Sequence, residues 1–380
     1  MRGRLAPSPT GCLHLGNAFA FLAACADIRQ KNGTLIMRVE DIDPDRSRLA
    51  YVQGMVKDLH WLGMGWQEGP GASPVSPSAS PVSPSPSPVS GFLPDTEFGP
   101  FAPYVQSACG HLYTAAISRL QDMGLVYPCF CTRKDLRSLP SAPHGEDGST
   151  IYPGLCRTLS AEEVRTRKQQ GKQASLRLNV EKALAFLDTL SGREASASDQ
   201  HRVPHGQLFP SAQMPLAGHD SCLFALDEAG IRSAFVKGGD FALMRSDGVV
   251  AYQLAVALDD GRMRITEVVR GNDLVASTPR QILLCRLLGY APPRYWHVPL
   301  VCDAMGERLA KRHKSLELCA LRDQGVSPGA VIGLLAHIAG FTPTLAPVTF
   351  EQFIQVFRMK GLPPALVLPE VDVVPLLRGM

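Results

Sequence analysis

The hydrophobic residues at the start of the chain change spacing twice. Residues 2–5 have the pattern of a short strand, and the apolar series from Leu15 to Ile28 has the spacing of a helix that ends near Gly33. Leu35 to Val39 is a second apolar run, short enough for a buried strand. Strand, helix and strand in this order predict a βαβ unit, the opening of a parallel α/β sheet. Ligands of such sheets bind beyond the carboxyl ends of the strands, so we expect a site at the turn formed by residues 7–17.

Apolar runs return in the second half of the chain. Residues 241–244, 249–257 and 265–269 have the pattern of strands, and residues 279–288 have the spacing of a helix. We interpret these segments as the second half of the same sheet.

Two stretches lack any such period. Residues 70–91 contain only Pro, Ser, Gly, Ala and Val, which bury too little apolar surface to offset the entropy of ordering, so we expect a disordered insertion. Residues 191–218 mix His, Pro, Ser and Gly without periodicity and predict a long loop.

The composition narrows the class of protein. The chain has 380 residues, a net charge of +3, 45% hydrophobic residues and 19% charged residues, as in soluble globular proteins. At about 100 to 200 residues per domain, the length predicts two or three domains. So small a net charge points to no particular partner. Every stretch long enough to cross a bilayer is interrupted by Pro, Gly or a charge, which predicts that the protein has no contact with a membrane.

The N-terminus and the cysteines bear on the compartment. Arg2 and Arg4 followed by the apolar run 18–26 imitate a secretory signal, but prolines and polar residues separate the two features, so we assign these residues to the mature fold. The 10 cysteines have irregular spacings and mostly apolar neighbours, which is typical of buried thiols in a reducing compartment. We expect a cytoplasmic protein.

The turn at the end of the first predicted strand carries the first motif. Residues 4–17 read Arg-Leu-Ala-Pro-Ser-Pro-Thr-Gly-Cys-Leu-His-Leu-Gly-Asn. A helix N-terminus exposes unpaired N–H groups and the positive end of the helix dipole, so His14 and the backbone at Gly16 can hold phosphates there. The run resembles the HIGH motif of class I aminoacyl-tRNA synthetases in its glutamate-specific form, where the same Ala-Pro-Ser-Pro-Thr-Gly turn follows a strand that ends in Arg.

This resemblance implies roles for the residues of the motif. It implies that His14 is catalytic and that ATP is bound by His14, Gly16 and Asn17. It also implies that L-glutamate is bound by Arg4, Leu5, Ala6, Pro7 and Ser8.

Three carboxylates follow the second predicted strand, at Glu40, Asp41 and Asp43. Because like charges at this spacing repel each other, the run alone fits a solvated turn or a metal site. The glutamate-specific family has the same Arg-x-Glu-Asp-x-Asp run beside its amino-acid pocket. The resemblance therefore implies that Glu40 binds the α-ammonium group of the substrate.

A third run extends from Asp240 to Leu274. Taken alone, Tyr252 fits a core aromatic residue and Arg270 a surface cation. The order and spacing match the glutamate-specific family, in which the corresponding residues contact glutamate. Arg270 would then form the paired, planar hydrogen bonds that suit a carboxylate.

A basic cluster occupies residues 306–313. On its own it fits a solvated face or a nonspecific nucleic-acid patch. After the other motifs it resembles the KMSKS loop of the family, which implies that Lys311 is catalytic and binds the ATP phosphates. Arg308 and Ala310 differ from the first Lys and the Ser of that loop.

A Cys-x-Cys pair is followed by a Tyr and a third Cys. Three thiols are soft donors suited to tetrahedral zinc but are one ligand short of a closed site, so unligated thiols are the alternative. One branch of the family, the glutamyl-queuosine branch, has this arrangement with Tyr as the fourth ligand. The resemblance implies one structural zinc per chain, held by Cys129, Cys131, Tyr152 and Cys156.

The same branch is indicated by the short stretch after Lys311, which leaves no room for an anticodon-binding domain. Members of this branch activate glutamate with ATP and magnesium in the absence of tRNA. They then transfer the glutamyl group to the queuosine base in the anticodon of tRNA(Asp). We expect a monomer in which basic residues of the segment 129–182 contact RNA phosphates: Arg157, Arg165, Arg167, Lys168, Lys172 and Arg177. Two alternatives are a paralogue that charges a tRNA 3′ end and a noncatalytic RNA-binding relative.

The expected fold is α/β, with a Rossmann-type parallel-sheet catalytic core, an inserted zinc-binding α/β segment and a short helical C-terminal region. The predicted boundaries are 1–105 for the first half of the catalytic domain, 106–185 for the insert, 186–300 for the second half, and 301–380 for the KMSKS-like loop and the C-terminal region.

Overall fold

A computed structural model of the protein describes residues 1–72, 97–132, 134–135, 152–194, 223–224, 228–235, 239–309 and 314–380. The strands are β1 (Arg2–Leu5), β2 (Thr34–Met37), β3 (Gly69–Pro70), β4 (Glu97–Phe98), β5 (Val126–Cys129), β6 (Ser175–Leu178), β7 (Leu223–Phe224), β8 (Ala242–Met244), β9 (Glu267–Gly271), β10 (Arg294–Val298), β11 (Val301–Cys302) and β12 (Leu366–Val367).

The helices alternate with these strands in the first part of the chain and follow one another near its end. They are α1 (Leu15–Gln30), α2 (Leu49–Trp61), α3 (Gly110–Asp122), α4 (Ala161–Gln169), α5 (Val180–Glu194), α6 (Glu228–Ala234), α7 (Tyr252–Arg262), α8 (Thr278–Leu287), α9 (Leu318–Asp323), α10 (Pro328–Ile338), α11 (Phe350–Val356) and α12 (Val373–Arg378).

The predicted βαβ unit is confirmed. Strands β1 and β2 pair in parallel on either side of α1 in the chain, and β9 and β10 form a second parallel pair. The Thr266 N–H, just before β9, donates to the Arg2 carbonyl at 2.9 Å, so the two pairs lie side by side. Beyond the strand ends the chain stays extended, with the Glu40 N–H donating to the Pro7 carbonyl at 3.0 Å. The first and second motifs therefore run next to each other at the carboxyl edge.

Of the strands predicted in the second half, one forms but lies in a different sheet, and another is helical over most of its length. Residues 242–244 pair antiparallel with β6, which also pairs antiparallel with β5, so this strand belongs to a separate sheet and not to the parallel one. Residues 252–257 are helical, because α7 begins at Tyr252. The seven residues from Leu254 to Asp260 are all buried, and a helix buried on every side produces a continuous apolar run that spacing cannot distinguish from a strand.

Helix α7 is joined to α3, to Gln106 and to the end of β2 through two consecutive carboxylates. The Asp259 side chain accepts hydrogen bonds from Tyr113 Oη at 2.8 Å and Gln106 Nε2 at 2.7 Å. The Asp260 side chain accepts one from Arg38 Nη1 at 2.6 Å, next to β2. Both carboxylates have no solvent exposure, so α7 can lie in only one position relative to α3 and β2.

The helical region predicted after the basic loop is confirmed, and it packs against α1. Residues of α10, α11 and α12 share one hydrophobic cluster with α1, in which Phe19 and Phe353 are completely buried. Gln30 Nε2 donates to the Phe357 carbonyl at 2.9 Å, which ties the end of α1 to the segment after α11. The first motif is therefore supported from behind by the last helices of the chain.

The two irregular stretches lie mostly outside the described residues. Of residues 70–91, Pro70 is part of β3 and pairs with Glu97 of β4, and those after Ala72 lie outside the described residues. Of residues 191–218, the first four continue α5 to Glu194, and the others lie outside the described residues. The predicted boundary between residues 185 and 186 also falls inside this helix.

Within the described ranges, the helices fall short of the length and apolarity needed to cross a membrane.

Candidate active site

His14 caps the N-terminus of α1. Its ring Nδ1 accepts a hydrogen bond from the Gly16 backbone N–H at 3.1 Å. The backbone N–H of His14 donates to Asn17 Oδ1, also at 3.1 Å. A neutral imidazole that accepts at Nδ1 carries its proton on Nε2. Three of the predicted ATP-binding residues, His14, Gly16 and Asn17, are therefore joined by the capping hydrogen bonds of α1. These bonds hold the imidazole at the positive end of the helix dipole.

The absence of a side chain at Gly16 is a steric requirement of this arrangement. A Cβ atom at this position would lie 2.9 Å from His14 Cε1 and 3.0 Å from His14 Nδ1. Contacts this short require the ring to move, so only glycine allows the imidazole to lie against the first turn of α1.

A buried ion network lies at the carboxyl ends of β1 and β2. Arg38 is fully buried and donates from Nη1 to Asp260 Oδ1 at 2.6 Å and from Nη2 to Glu40 Oε1 at 2.9 Å. Arg4 lies with its Nε 3.5 Å from the same Asp260 oxygen. The structure thus brings together the predicted residues Arg4 and Glu40. It joins them through Arg38 and Asp260, to which the sequence analysis gave no role.

The two carboxyl groups of this network respond differently to burial. Burial raises the pKa of Glu40 above its ordinary value, although Arg38 and Arg4 oppose the shift. Burial would also raise the pKa of Asp260, but Arg38 and Arg4 outweigh it and hold this pKa below its ordinary value. Asp260 is therefore the permanent anion of the network, and Glu40 is the carboxylate that a further cation would stabilise.

Tyr252 and Arg270 complete the cluster. The pKa of Tyr252 is raised, mainly by burial and secondly by the negative charge of Glu40. The phenol therefore lies within electrostatic range of Glu40. The Arg270 guanidinium is buried beside the Tyr295 ring, with 4.8 Å from its central carbon to the ring centre. Its Nη1 donates to Gln281 Oε1 at 2.7 Å and its Nη2 to Thr278 Oγ1 at 2.7 Å.

Two further partners of Arg270 come from β10 and from the segment after β9. His297 Nε2 lies 3.4 Å from the Arg270 Nε, and the Leu274 carbonyl accepts from Nη2 at 3.3 Å. Among the described residues no carboxylate lies within ion-pair distance of this guanidinium. The buried cluster contains three arginines, Arg4, Arg38 and Arg270, and two carboxylates, Glu40 and Asp260. Its formal net charge is therefore +1.

The remaining predicted glutamate-binding residues line the turn before α1. Leu5 and Pro7 are buried and Ala6 is half-buried. Ser8 is exposed, and its carbonyl accepts the Thr10 N–H at 2.8 Å. The Ser8 side chain therefore lies at the solvent side of the turn, outside the buried network.

The three carboxylates after β2 do not converge on one point. Glu40 faces Arg38, whereas Asp41 accepts from the Ser107 N–H at 2.8 Å and from its hydroxyl at 2.7 Å. Asp43 accepts from Arg46 Nε at 3.1 Å. Within the described ranges these groups form no metal site, and the alternative of a solvated turn applies to Asp43.

Lys311 lies outside the described residues, and so does Ala310. The start of its loop is described, and Arg308 forms an ion pair with Asp273 at 2.6 Å. Asp273 follows β9, three positions after Arg270. The KMSKS-like loop therefore begins against the segment that carries the buried Arg270.

The predicted zinc ligands meet at the end of β5. The sulfur atoms of Cys131 and Cys156 are 3.6 Å apart, and Tyr152 Oη lies 3.3 Å from Cys129 Sγ and 3.8 Å from Cys131 Sγ. Around a tetrahedral zinc, Zn–S bonds are about 2.3 Å long and a Zn–O bond is about 2.0 Å long. Two sulfur ligands are then about 3.8 Å apart, and a sulfur and an oxygen ligand about 3.5 Å apart; these separations are the edges of the tetrahedron. The observed edges fit such a site, and all four donors come from the predicted residues.

Comparisons with known proteins identify the class. Residues 1–213 and 230–363 match the family of class I tRNA synthetases for glutamate and glutamine, catalytic domain, and the chain belongs to this family. Two solved structures share the fold: Glutamate-tRNA Synthetase from Elizabethkingia anophelis, with a TM-score of 0.63 and 21% identity over 97% of this chain and 68% of that one, and a glutamate tRNA ligase from Elizabethkingia meningosepticum, with a TM-score of 0.61.

The most informative relatives are named Glutamyl-Q tRNA(Asp) synthetase. The chain is 42% identical to the protein of that name from Nitratidesulfovibrio vulgaris, over 98% of this chain and 97% of the relative. It is 39% identical to the one from Symbiobacterium thermophilum, over 95% and 93%. Against Glutamate–tRNA ligase 1 of Halorhodospira halophila it is 33% identical and spans 58% of that protein. The resemblance inferred from the motifs is confirmed.

Replacing Gly16 by alanine tests the steric requirement at the helix cap. The new methyl group would displace the His14 imidazole, so we expect glutamate-dependent ATP–pyrophosphate exchange to fall at least about tenfold, which corresponds to about 1.4 kcal/mol in the activation free energy. The melting temperature should change little, because the cap lies at the end of a long buried helix. Gly54→Ala in α2, where a Cβ meets nothing within 4 Å, is the matched control. Wild-type exchange in Gly16→Ala would contradict the role of the ring position.

Proposed function

We propose that the protein activates L-glutamate with ATP in the absence of tRNA and transfers the glutamyl group to the queuosine base in the anticodon of tRNA(Asp). The observation that carries the proposal is the buried, cationic cluster beside the N-terminus of α1. It has one net positive charge, and among the described residues no carboxylate pairs with Arg270, which is held by Gln281 and Thr278. Glutamate has two carboxylates and one ammonium group, so its net charge complements that of the cluster.

The proposed glutamate site assigns a role to each charged group. Arg270 and Arg4 would bind the carboxylates, and Glu40 would bind the α-ammonium group. The raised pKa of Glu40 supports this role, because a bound ammonium group stabilises the ionised carboxylate. The contacts along the turn and on α7 would be made by Leu5, Ala6, Pro7, Ser8 and Tyr252.

The proposed reaction needs no general base. The α-carboxylate of glutamate is already ionised, and one of its oxygens attacks the α-phosphorus of ATP. The bond from this phosphorus to the bridging oxygen breaks, pyrophosphate leaves, and glutamyl-adenylate forms. A nucleophile on the RNA then attacks the carbonyl carbon and releases AMP. The protein would act by positioning the reactants and by stabilising charge on the departing phosphates.

His14, Gly16, Asn17 and Lys311 are the proposed ATP-binding residues. The His14 Nε2–H and the N-terminus of α1 would meet the phosphates, and the Lys311 ammonium group would add a positive charge. Magnesium bound together with ATP would neutralise part of the phosphate charge.

We also propose that Cys129, Cys131, Tyr152 and Cys156 hold one structural zinc. The distances between the donor atoms support this assignment. Their surroundings support it as well, because Arg177 lies over the Tyr152 ring, with its central carbon 4.0 Å from the ring centre. This cation would stabilise the negative charge of the ligand set. The domain boundaries predicted from the sequence remain part of the proposal, with the insert as the segment that the zinc stabilises.

The exposed helix α4 is the proposed contact with the RNA. It has no buried residue, and it presents Arg165 and Lys168 to solvent, with Lys172 just beyond its end. The three other predicted cations are already engaged: Arg157 pairs with Asp240 at 2.9 Å, Arg167 lies over the Phe130 ring, and Arg177 lies over Tyr152. We therefore assign the phosphate contacts to Arg165, Lys168 and Lys172.

Replacing Arg270 by lysine tests the glutamate site. Lysine keeps the charge but loses the planar, paired hydrogen bonds to a carboxylate. We expect the KM for glutamate in pyrophosphate exchange to rise at least about tenfold, equivalent to about 1.4 kcal/mol, with the KM for ATP nearly unchanged. Arg294→Lys on β10, which pairs with Glu267 outside the cluster, is the control. An unchanged KM for glutamate in a folded Arg270→Lys protein would remove Arg270 from the site.

The zinc assignment predicts that protein purified without added metal contains one zinc per chain. Elemental analysis of Cys129→Ser and Cys131→Ser should show that this zinc is lost, because each variant removes a thiolate ligand. Cys109→Ser, which changes a buried thiol outside the four proposed ligands, should keep it. A metal-free wild-type chain of unchanged thermal stability would contradict the assignment.

The acceptor nucleotide tests the function as a whole. We expect labelled glutamate on queuosine-containing tRNA(Asp), with the label resistant to removal of the 3′-terminal nucleotides and absent when the tRNA lacks queuosine. Label released with the terminal adenosine would identify a paralogue that charges the 3′ end. Absence of glutamate-dependent pyrophosphate exchange would instead favour the noncatalytic relative. Charge reversal at Arg165 and Lys168 should weaken tRNA binding and reduce its salt dependence, without changing exchange.

A further inference from the structure

A second group of potential metal ligands lies beside the first motif, away from the proposed zinc site. The sulfur atoms of Cys12 and Cys319 and a carboxylate oxygen of Glu317 all lie within 4.8 Å of one another. The Cys319 Sγ is 3.8 Å from Glu317 Oε2. Cys12 belongs to the turn before α1, whereas the other two residues stand at the start of α9.

The fold fixes the approach of these two segments. Leu13 and Leu318 are buried next to each other, and the Leu318 N–H donates to the Leu13 carbonyl at 2.7 Å. His14 and Glu317 face each other as an antiparallel bridge. Each proposed ligand is therefore a direct neighbour in sequence of Leu13 or Leu318, which are joined by a backbone hydrogen bond. The fold itself brings the three side chains together.

We propose that Cys12, Glu317 and Cys319 form a binding site for a thiophilic divalent cation of the zinc type, which bridges the turn before α1 and the first turn of α9. Two soft sulfur donors select such a cation over magnesium, which prefers oxygen ligands alone. The site is thus chemically distinct from any site for magnesium bound with ATP.

The geometry and exposure suit an exchangeable cation. The Cys319–Glu317 separation of 3.8 Å is close to the S···O edge of about 3.5 Å in tetrahedral zinc sites. Three protein ligands leave one coordination position for water or another ligand. All three residues are partly exposed, so an ion can reach them from solvent. We expect weaker binding than at the site of Cys129, and filling only when zinc is added.

Occupation of this site would link the two sides of the proposed ATP site. Cys12 lies two positions before His14, and Glu317 follows the KMSKS-like loop. A bound cation holds both segments only in the folded protein, so it should raise the melting temperature. This inference concerns metal binding alone and does not depend on the proposed reaction.

The test is equilibrium dialysis of the full-length, reduced protein against buffered free zinc, followed by elemental analysis and a count of free thiols. Wild type should bind one more zinc per chain than Cys12→Ser or Cys319→Ala. Glu317→Gln, which preserves size, should bind this zinc at least about tenfold more weakly. Added zinc should raise the melting temperature of wild type more than that of Cys319→Ala.

Two controls separate zinc binding at this site from zinc binding by the remaining thiols of the chain. Cys302→Ala removes a buried thiol of β11 outside the cluster and should keep wild-type stoichiometry. Cys129→Ser should lose a different zinc, so a double variant with Cys319→Ala should lose both. Equal zinc content in wild type, Cys12→Ser and Cys319→Ala would overturn the proposal, and so would an equal loss in Cys302→Ala.

Discussion

The ion pair between Arg38 and Asp260 has no access to solvent, and the rest of the site depends on it. It joins the end of β2 to helix α7 at 2.6 Å, across most of the length of the sequence. Burying both charges costs several kcal/mol, roughly, and removal of one partner costs about 3 to 5 kcal/mol because the other is left unpaired. Glu40 pairs with Arg38, and Arg4 lies beside Asp260. The charges of the proposed glutamate site therefore belong to the same network that joins the first part of the chain to α7.

The N-terminus of α1 has a comparable double role. The helix is buried on nearly all sides, with the C-terminal helices packed behind it, so its first turn can hardly move. The His14 and Asn17 side chains accept from two N–H groups at that helix end, those of Gly16 and His14, and Gly16 allows the imidazole to approach. A rigid helix end presents its dipole and its donors in a fixed direction, which is what electrostatic stabilisation of a departing phosphate requires.

Local runs of the sequence were easier to interpret than the elements that surround them. His14, Glu40 and Arg270 were singled out as candidate site residues because their motifs are local runs of a few residues. Residues 252–257 were misassigned to a strand because complete burial of α7 removes the polar face that gives a helix its period. The roles of Arg38 and Asp260 were missed for a related reason. Arg38 follows β2, Asp260 lies beside Asp259 in α7, and the two partners are 222 residues apart, so no spacing rule connects them.

The environment of Arg270 explains how such a site can select a carboxylate. Gln281 and Thr278 orient the guanidinium without cancelling its charge, and the buried Tyr295 ring lies beside it. A ligand carboxylate would supply the missing negative charge. A ligand amide of the same shape would leave a buried cation uncompensated and would place an N–H group against a guanidinium that can only donate hydrogen bonds. Discrimination against the amide therefore follows from the lack of a carboxylate beside Arg270 among the described residues, as much as from the presence of the arginine.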